Sequence, residues 1–291
     1  MASLRDIRRK ISSVKKTQQI TRAMQMVSAA KLQRAQDRLL TSRPYSSKLA
    51  EVIGSLALRA DPRRYALLER REGPNTLIVV VTADRGLCGA FNSNALRAAI
   101  GLLAQNPAWQ ASFIVVGRKG RDFFRRRPQY RVKSQHVDVF GRQVSFGVAQ
   151  DIARELIEAY TAPDHAVDRV VLVGNTFVSA LRQQAVTSTI LPIPRPPSPP
   201  EAVIFDYLYE PSVDGILREL LPRYVEVLVY RALLETAAAE HAARMTAMAA
   251  ATDNAGELIQ QLTLFYNKTR QAAITKEILE VVSGAEALKG A

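Results

Sequence analysis

The last 69 residues of the chain contain no proline, and their only glycines are Gly256, Gly284 and Gly290. This composition permits one uninterrupted helix from Arg223 to about Ser283, on the order of 90 Å long at 1.5 Å per residue. A small domain cannot cover such a rod, and long helices in water gain most of their stability by packing an apolar face on something else. The segment therefore needs a helical partner.

Both ends of the chain repeat side chains in steps of three and four, the spacing of a coiled-coil seam. The carboxy-terminal seam is predicted at His241, Met245, Met248, Thr252, Ala255, Ile259, Leu262 and Tyr266. The amino-terminal seam is predicted at Leu4, Ile7, Ile11, Val14, Thr17, Ile20, Met24 and Val27, with one short step after Val14 that would overwind the pair locally. We predict that the two terminal segments wind around each other, with His241 in a packing role.

The periodicity changes between these two segments. Residues 76–82, 111–117 and 168–174 are short β-branched runs typical of buried parallel strands, and helical stretches near residues 95–105 and 144–160 separate them. Further strands are predicted at residues 184–190 and 204–210, on either side of a proline-rich loop. The fold class is therefore α/β: long coiled-coil helices at the two ends plus a central Rossmann-like α/β domain.

Domain limits follow from these changes. We expect an amino-terminal coiled-coil helix over residues 1–58, the Rossmann-like domain over residues 74–210, and a carboxy-terminal coiled-coil helix over residues 211–291. No stretch of 18 apolar residues occurs, so the sequence predicts no membrane-spanning helix.

The net charge of +13 is concentrated in two places. Residues 1–40 contain ten Lys and Arg against two Asp, and residues 118–133 contain eight against one Asp, which gives +8 and +7. Such localised charge indicates an acidic partner surface of protein, phospholipid or nucleic acid, although a solvated helical face would look the same. For residues 118–133 both a solvated and a lipid-facing role stay open.

Sites for catalysis, metals and cofactors are poorly supported. Two glycine pairs, residues 86–89 and 117–120, follow strands but complete neither the dinucleotide fingerprint nor the P-loop, and tight turns explain them. The three histidines, His136, His165 and His241, lack metal-ligand spacing, and the single cysteine, Cys88, excludes an internal disulfide. We predict no cofactor, no metal and no catalytic residues in this chain.

Five segments carry a resemblance to a known family. They are residues 17–36 (TQQITRAMQMVSAAKLQRAQ), 83–92 (ADRGLCGAFN), 206–211 (DYLYEP), 243–255 (ARMTAMAAATDNA) and 266–288 (YNKTRQAAITKEILEVVSGAEAL). In order and spacing they resemble the gamma subunit of F-type rotary ATP synthases over essentially the whole chain. The departures are Ala83, Ala90 and Ala250, where that family more often has hydroxyl, glycine and polar residues.

The resemblance implies a non-catalytic rotor shaft. In that family the terminal helices form an antiparallel coiled coil inside a hexamer of three alpha and three beta subunits, while the α/β domain sits on the membrane c ring. An epsilon subunit is a further implied partner, and nucleic acid is not. Proton flow through the c ring turns the shaft and drives ATP synthesis, and hydrolysis drives the reverse. The implied location is peripheral, on the cytoplasmic face of a bacterial inner membrane.

The resemblance also implies roles for individual residues. The lever segment of a beta subunit would contact Met24, Arg85, Cys88, Arg8 and Arg9. The catch loops of the hexamer would contact Arg270, Gln271 and Thr275, and the c ring would contact Tyr207, Tyr209 and Glu210. Because Cys88 follows Asp84 and Arg85, we expect a turn near solvent and a thiol that can be crosslinked. A buried structural thiol stays open as the alternative.

Two other functions remain as alternatives. A basic coiled-coil protein that binds nucleic acid would also be positively charged, and it would bind DNA with a steep salt dependence. A Rossmann-type enzyme would bind ATP or a dinucleotide with measurable heat. Co-purification with alpha and beta subunits would distinguish the rotor function from both alternatives.

Overall fold

The computed structural model describes residues 3–59, 61, 64–141, 143–164, 166–194 and 212–289. The chain forms two compact units. One contains Met1–Val27 and Met245–Ala291, and the other contains Ser28–Arg244. Among the described residues, no helix combines the length and the apolar character needed to cross a membrane.

Two long helices and a small α/β layer account for the described elements. In chain order these are α1 (Leu4–Arg59), β1 (Asn75–Val81), α2 (Phe91–Gln105), β2 (Gln110–Val116), α3 (Arg118–Arg125), β3 (Arg131–His136), α4 (Phe146–Thr161), β4 (Arg169–Phe177), β5 (Gln183–Leu191) and α5 (Val213–Lys289). Helix α5 begins ten residues before the predicted start at Arg223 and contains Pro222. A proline inside a helix removes one backbone hydrogen bond, and the burial of Leu221 and Val225 on either side offsets that loss.

The larger unit contains a five-stranded sheet with the strand order β3-β2-β1-β4-β5. Strands β1 to β4 are parallel and β5 pairs with β4 antiparallel, so the predicted Rossmann-like layer is confirmed. One face of the sheet packs against α4 and against residues of α1 and α5 such as Ile53 and Leu233. The other face packs against Leu96 of α2 and Phe124 of α3.

Helix α3 and strand β3 were missing from the sequence prediction, which treated residues 118–133 only as a basic run. Helix α3 has the sequence RKGRDFFR, in which mostly charged residues surround the buried Phe124, so its apolar signal is weak. In β3 the side chains alternate, with Arg131 and Lys133 exposed, as is typical of a sheet edge protected by charge. The strand predicted at residues 204–210 falls outside the described residues.

The smaller unit is an antiparallel two-helix coiled coil. The hydroxyls of Thr21 and Thr252 lie 2.7 Å apart, and Gln18 Nε2 donates to the carbonyl oxygen of Thr252 at 3.4 Å. Further along the same pair, Ile11 and Tyr266 line a common groove, so residue numbers fall on α5 as they rise on α1.

The register of the amino-terminal seam differs from the prediction. Thr17, Ile20 and Val27 are exposed, whereas Gln18 is half-buried and Thr21 is buried. The less exposed positions continue the regular steps of three and four through these polar residues, so the predicted short step after Val14 is wrong. The hydrogen bonds to Thr252 explain why polar side chains occupy the seam here. On α5 the predicted seam positions from Met245 to Tyr266 are all buried or half-buried, as expected.

Candidate partner-contact surfaces

The turn that follows β1, residues 84–89, is hereafter called the strand-end turn. Its backbone enters the left-handed region twice, at Leu87 (φ 63°) and at Gly89 (φ 56°). A glycine adopts that conformation without strain, whereas a leucine rarely does. The geometry points the side chain of Leu87 outward, 63% exposed, next to the exposed Arg85. These two side chains form the surface that the strand-end turn presents.

Asp84 joins the strand-end turn to two neighbouring loops. Its carboxylate accepts hydrogen bonds from the backbone N–H groups of Arg118, Asp138 and Phe140, each at 3.0 Å. These donors lie in the segments that follow β2 and β3. Hydrogen bonds from backbone N–H groups to an ionised carboxylate are stronger than neutral ones. Asp84 therefore fixes the start of the turn against the carboxyl end of the sheet.

The glycine pair at residues 117–120 makes a close backbone contact. A Cβ atom on Gly117 would lie 2.1 Å from the carbonyl oxygen of Thr82, and Gly117 has a φ of 95°. Thr82 Oγ1 accepts from the N–H of Gly120 at 2.8 Å and donates to the carbonyl oxygen of Val116 at 3.0 Å. This close approach supports the tight-turn interpretation of these glycines.

The strand-end turn is also held by hydrogen bonds from Arg244 of helix α5. Arg244 donates to the carbonyl oxygen of Gly86 from Nε at 3.3 Å and from Nη2 at 3.2 Å. The same Nη2 lies 2.6 Å from Oε1 of Glu240, and both side chains are buried. The sequence alone predicts no role for Arg244 or Glu240. Their spacing of four residues on a helix was the available signal.

Cys88 is buried, only 2% exposed, in a cluster with Phe91 and Ala239. Asn92 Nδ2 lies 3.2 Å from its sulfur, and burial raises the pKa of the thiol. The expectation of a solvent-facing thiol is therefore wrong, because the turn folds its cysteine inward and its arginine outward. A partner that meets this turn would first meet Arg85 and Leu87.

The end of α5 extends beyond its coiled-coil partner. Extending the antiparallel register places Leu4 opposite about residue 270, which leaves about 19 residues, on the order of 28 Å, before the helix ends at Lys289. Residues 271–285, hereafter the distal segment, are nearly all exposed. Their exposed large apolar side chains are Ile274, Ile278, Leu279, Val281 and Val282.

The residues assigned to the catch loops lie at the start of this distal segment. Arg270, Gln271 and Thr275 are exposed, and the Thr275 hydroxyl donates to the carbonyl oxygen of Gln271 at 2.9 Å, one helical turn earlier. The three side chains therefore lie within two turns of one helix surface and are accessible.

The remaining predicted contact residues are separated along the chain. On α1, Arg8 and Arg9 are exposed and Met24 is half-buried. Tyr207, Tyr209 and Glu210 lie outside the described residues. His241, predicted to pack in the seam, lines a cleft in the larger unit with three cationic side chains of α1, Lys31, Arg34 and Arg38.

The described residues combine a Rossmann-like sheet with an antiparallel coiled coil and leave an apolar helix end uncovered, which is the architecture of a protein built around a coiled-coil stalk. Comparison with known proteins makes this more specific. The family described as ATP synthase matches residues 3–288. The ATP synthase gamma chains of Pelotomaculum thermopropionicum and Moorella thermoacetica are each 48% identical to this chain over 289 residues, covering 99% of this chain and 100% of the relative. The chain belongs to the ATP synthase gamma chain family.

Solved structures support the fold. A chain of the Tetrahymena thermophila mitochondrial ATP synthase central stalk and c ring is 27% identical, with a TM-score of 0.63, and the match covers 80% of this chain and 99% of that one. A chain of the Euglena gracilis mitochondrial ATP synthase in rotational state 3 has a TM-score of 0.68 at 22% identity, covering 98% and 94%. The second likeness bears on the fold alone.

Proposed function

We propose that this chain is the central rotor shaft of an F-type ATP synthase. It couples proton flow through a membrane c ring to ATP synthesis, or to hydrolysis in reverse, on a head of three alpha and three beta subunits. The single observation that carries the proposal is the distal segment of α5. There, the helix exposes a set of large apolar side chains that the described residues of the chain leave uncovered.

Burial of this apolar helix end by other subunits would contribute to binding. Ile278 and Val281 are 57% and 72% exposed, and burying such side chains contributes about 1.5–3 kcal/mol each. Because exposed apolar residues lie at positions 274, 278, 279, 281 and 282, they cover an arc of about 160° of the helix at 3.6 residues per turn, wider than a single narrow seam. A concave surface formed by more than one subunit covers an arc of this width better than one flat partner surface does.

The shaft acts by presenting different faces to the catalytic subunits. A two-helix rod has no threefold symmetry, so at any angle it meets each of three identical beta subunits differently and stabilises a different conformation in each. Turning the rod then changes their nucleotide affinities in sequence. In this mechanism the chain itself is non-catalytic, and it binds no cofactor.

Three sets of contacts follow from the same proposal. Arg85, with Met24, Arg8 and Arg9, meets the acidic lever segment of a beta subunit, because arginine pairs well with carboxylates. The strand-end turn brings Cys88 to the same region as a buried support. The catch loops meet Arg270, Gln271 and Thr275. The c ring meets Tyr207, Tyr209 and Glu210, and an epsilon subunit binds the same rotor.

The proposed location is the cytoplasmic face of a bacterial inner membrane, where the chain is held peripherally by its partners. The basic surface of residues 118–133 has no role in this proposal.

Rotation can be tested directly in the assembled complex. Because Cys88 is buried, Gln135→Cys on the exposed face of β3 supplies a selectively reactive thiol for a bead or gold particle. With the head fixed to a surface, ATP should drive stepwise rotation of the particle. A labelled complex without Gln135→Cys is the control and should show no rotating particles.

Co-purification tests the class of function. A tagged chain should bring alpha and beta subunits with it at high salt. If it instead brings no such subunits and binds DNA with an affinity that falls steeply with salt, the nucleic-acid alternative replaces the proposal.

A further inference from the structure

The ion pair between Glu240 and Arg244 differs from the other pairs on α5. Its side chains are 4% and 10% exposed, whereas those of Glu235 and Arg231, a pair with the same spacing on the same helix, are 20% and 52% exposed. Both pairs bring a guanidinium nitrogen to within 3.0 Å of a carboxylate oxygen. Spacing and residue types are therefore the same, although the order of acid and base along the helix is reversed and Glu235 also accepts from the Thr176 hydroxyl. The main difference is burial.

Burying a charged pair needs a structural reason. Removing two charges from water costs several kcal/mol per ion, and the pair repays this only when further hydrogen bonds satisfy it. Glu240 Oε2 is buried without a hydrogen-bond partner, and burial raises the pKa of this carboxyl. The compensation lies on the arginine, whose guanidinium donates to the main-chain carbonyl of Gly86 and reaches that of Arg85 at 3.5 Å.

We infer that Arg244, held in place by Glu240, is a positioning residue that locks the strand-end turn to helix α5 and thereby sets the direction of Arg85 and Leu87. The lock itself rests only on contacts within this chain. Its functional role rests on the proposed function, because that proposal assigns Arg85 to a partner contact.

The turn is anchored on two sides. Asp84 ties its first residue to the sheet through three backbone N–H groups, and Arg244 ties its next two carbonyls to α5. Between these anchors, Cys88 packs in one cluster with Ala239 of α5. A force applied to the exposed Arg85 is therefore opposed by contacts of the turn with both the sheet and α5.

Cys88 is a built-in reporter of this lock, because it is the only cysteine in the chain and is buried beneath the turn. In the isolated full-length chain, Arg244→Gln should free the turn from α5 and raise the rate of Cys88 modification by a thiol reagent at least about tenfold, since a hydrogen bond to a charged group is lost. Arg231→Gln is the matched control and should leave the rate within about twofold.

The electrostatic effect of Arg244→Gln opposes the expected increase in the rate of Cys88 modification, which makes the test more stringent. The positive charge of Arg244 lowers the pKa of the Cys88 thiol, so its removal raises that pKa and reduces the reactive thiolate. A faster reaction therefore reports opening of the turn and not a change in ionisation. Arg244→Lys keeps the charge and loses the forked geometry, and should give an intermediate rate. An unchanged rate in both folded variants, judged by circular dichroism, would overturn the lock.

The positioning role is tested by a double-mutant cycle in the assembled complex. Arg244→Gln should lower ATP-driven rotation torque in the native background and should have little further effect when Arg85 is already alanine. Additive losses would mean that Arg244 acts on general stability and not through Arg85. If Cys88 opens as expected but the native chain itself neither binds alpha and beta subunits nor rotates among them, the lock stands and the proposed rotor function fails.

Discussion

Helix α5 has two parts that contain similar apolar residues and differ in what covers them. Residues 213–244, hereafter the proximal segment, have Leu217, Val225 and Leu233 fully buried against the sheet and α1. In the distal segment, Ile278 and Val281 are more than half exposed. In the proximal segment the chain supplies its own packing partner, whereas the described residues leave the distal segment uncovered.

The difference separates two causes of an apolar sequence. Buried apolar side chains in the proximal segment stabilise the fold of this chain. Exposed ones in the distal segment contribute little to that fold, and a large uncovered apolar surface marks a site of protein interaction. Under the proposed function, the proximal apolar residues stabilise the fold and the distal ones bind partner subunits, and mutations should distinguish them.

Paired truncations should give the largest contrast. Leu233→Ala leaves a cavity in the core and should lower the free energy of unfolding by about 2–5 kcal/mol, whereas Ile278→Ala should change it by less than about 0.5 kcal/mol. Urea denaturation of the isolated chain measures both. In the assembled complex the order should reverse for binding of the head, where Ile278→Ala weakens association. Equal destabilisation of the isolated chain by both changes would mean that the distal segment is covered within this chain.

The pH dependence of stability should report the proximal segment. Burial and the positive charges of Arg244 and Lys31 lower the pKa of His241 from 6.5 to about 4, and Arg34 and Arg38 face the same cleft. Between pH 6.5 and about pH 4, His241 is protonated in the unfolded chain but not in the folded chain. The free energy of unfolding therefore falls as the pH falls through this window, by at most about 3 kcal/mol. Denaturation at pH 7 and pH 5 should detect about 2 kcal/mol of this difference. His241→Gln should remove most of it, and an unchanged pH dependence in that variant would assign it to other groups.

Arg270→Ala tests the beginning of the uncovered region. Under the proposed function, this exposed side chain donates a charge-assisted hydrogen bond to a catch loop, worth roughly 1.5–3 kcal/mol, so its loss should slow ATP hydrolysis and coupled synthesis about tenfold or more. The complex should still assemble, because one contact of this size does not hold it together. Lys268→Ala, an exposed neighbour, is the control and should retain activity. Unchanged turnover, or loss of the complex from membranes, would contradict the assignment.

The sequence predicted the long helices and the buried strands because their signals repeat over many residues. It failed where one tertiary contact decides the outcome. Cys88 lies beneath the strand-end turn because Gly89 allows a left-handed backbone there and Ala239 leaves room, and neither fact can be read from the residues that flank the cysteine. Strand β3 was hidden because its exposed Arg131 and Lys133 resemble a solvated run until the strand is paired with β2.

The prediction of the coiled-coil seam is wrong for a related reason, because the apolar pattern places Ile20 in the seam and leaves out the polar Thr21. The structure places Thr21 in the seam since its hydroxyl meets that of Thr252 at 2.7 Å. One of the two hydroxyls donates across the pair, and the other donates to a carbonyl oxygen on its own helix, that of Gln18 or Met248. A polar layer of this kind fixes register and lowers stability relative to an apolar one.

The smallest expected effect comes from replacing that polar layer. Thr21→Val or Thr252→Val alone leaves one hydroxyl without its cross-helix partner and should lower the free energy of unfolding by about 1 kcal/mol. The double variant replaces both hydroxyls with methyl groups of similar shape, so it should be neutral or slightly stabilising, and the coupling between the two sites should have the sign of a mutual interaction. Urea denaturation of the four chains measures this cycle.

The polar layer also specifies which residues face each other, so the double variant should lose register specificity. Gln18 and Gly256 lie next to each other across the pair, and the loss should be detected as weaker disulfide formation between Gln18→Cys and Gly256→Cys. If the two single variants are each harmless, the Thr21–Thr252 contact does not fix the register and the seam must be set by the apolar positions alone.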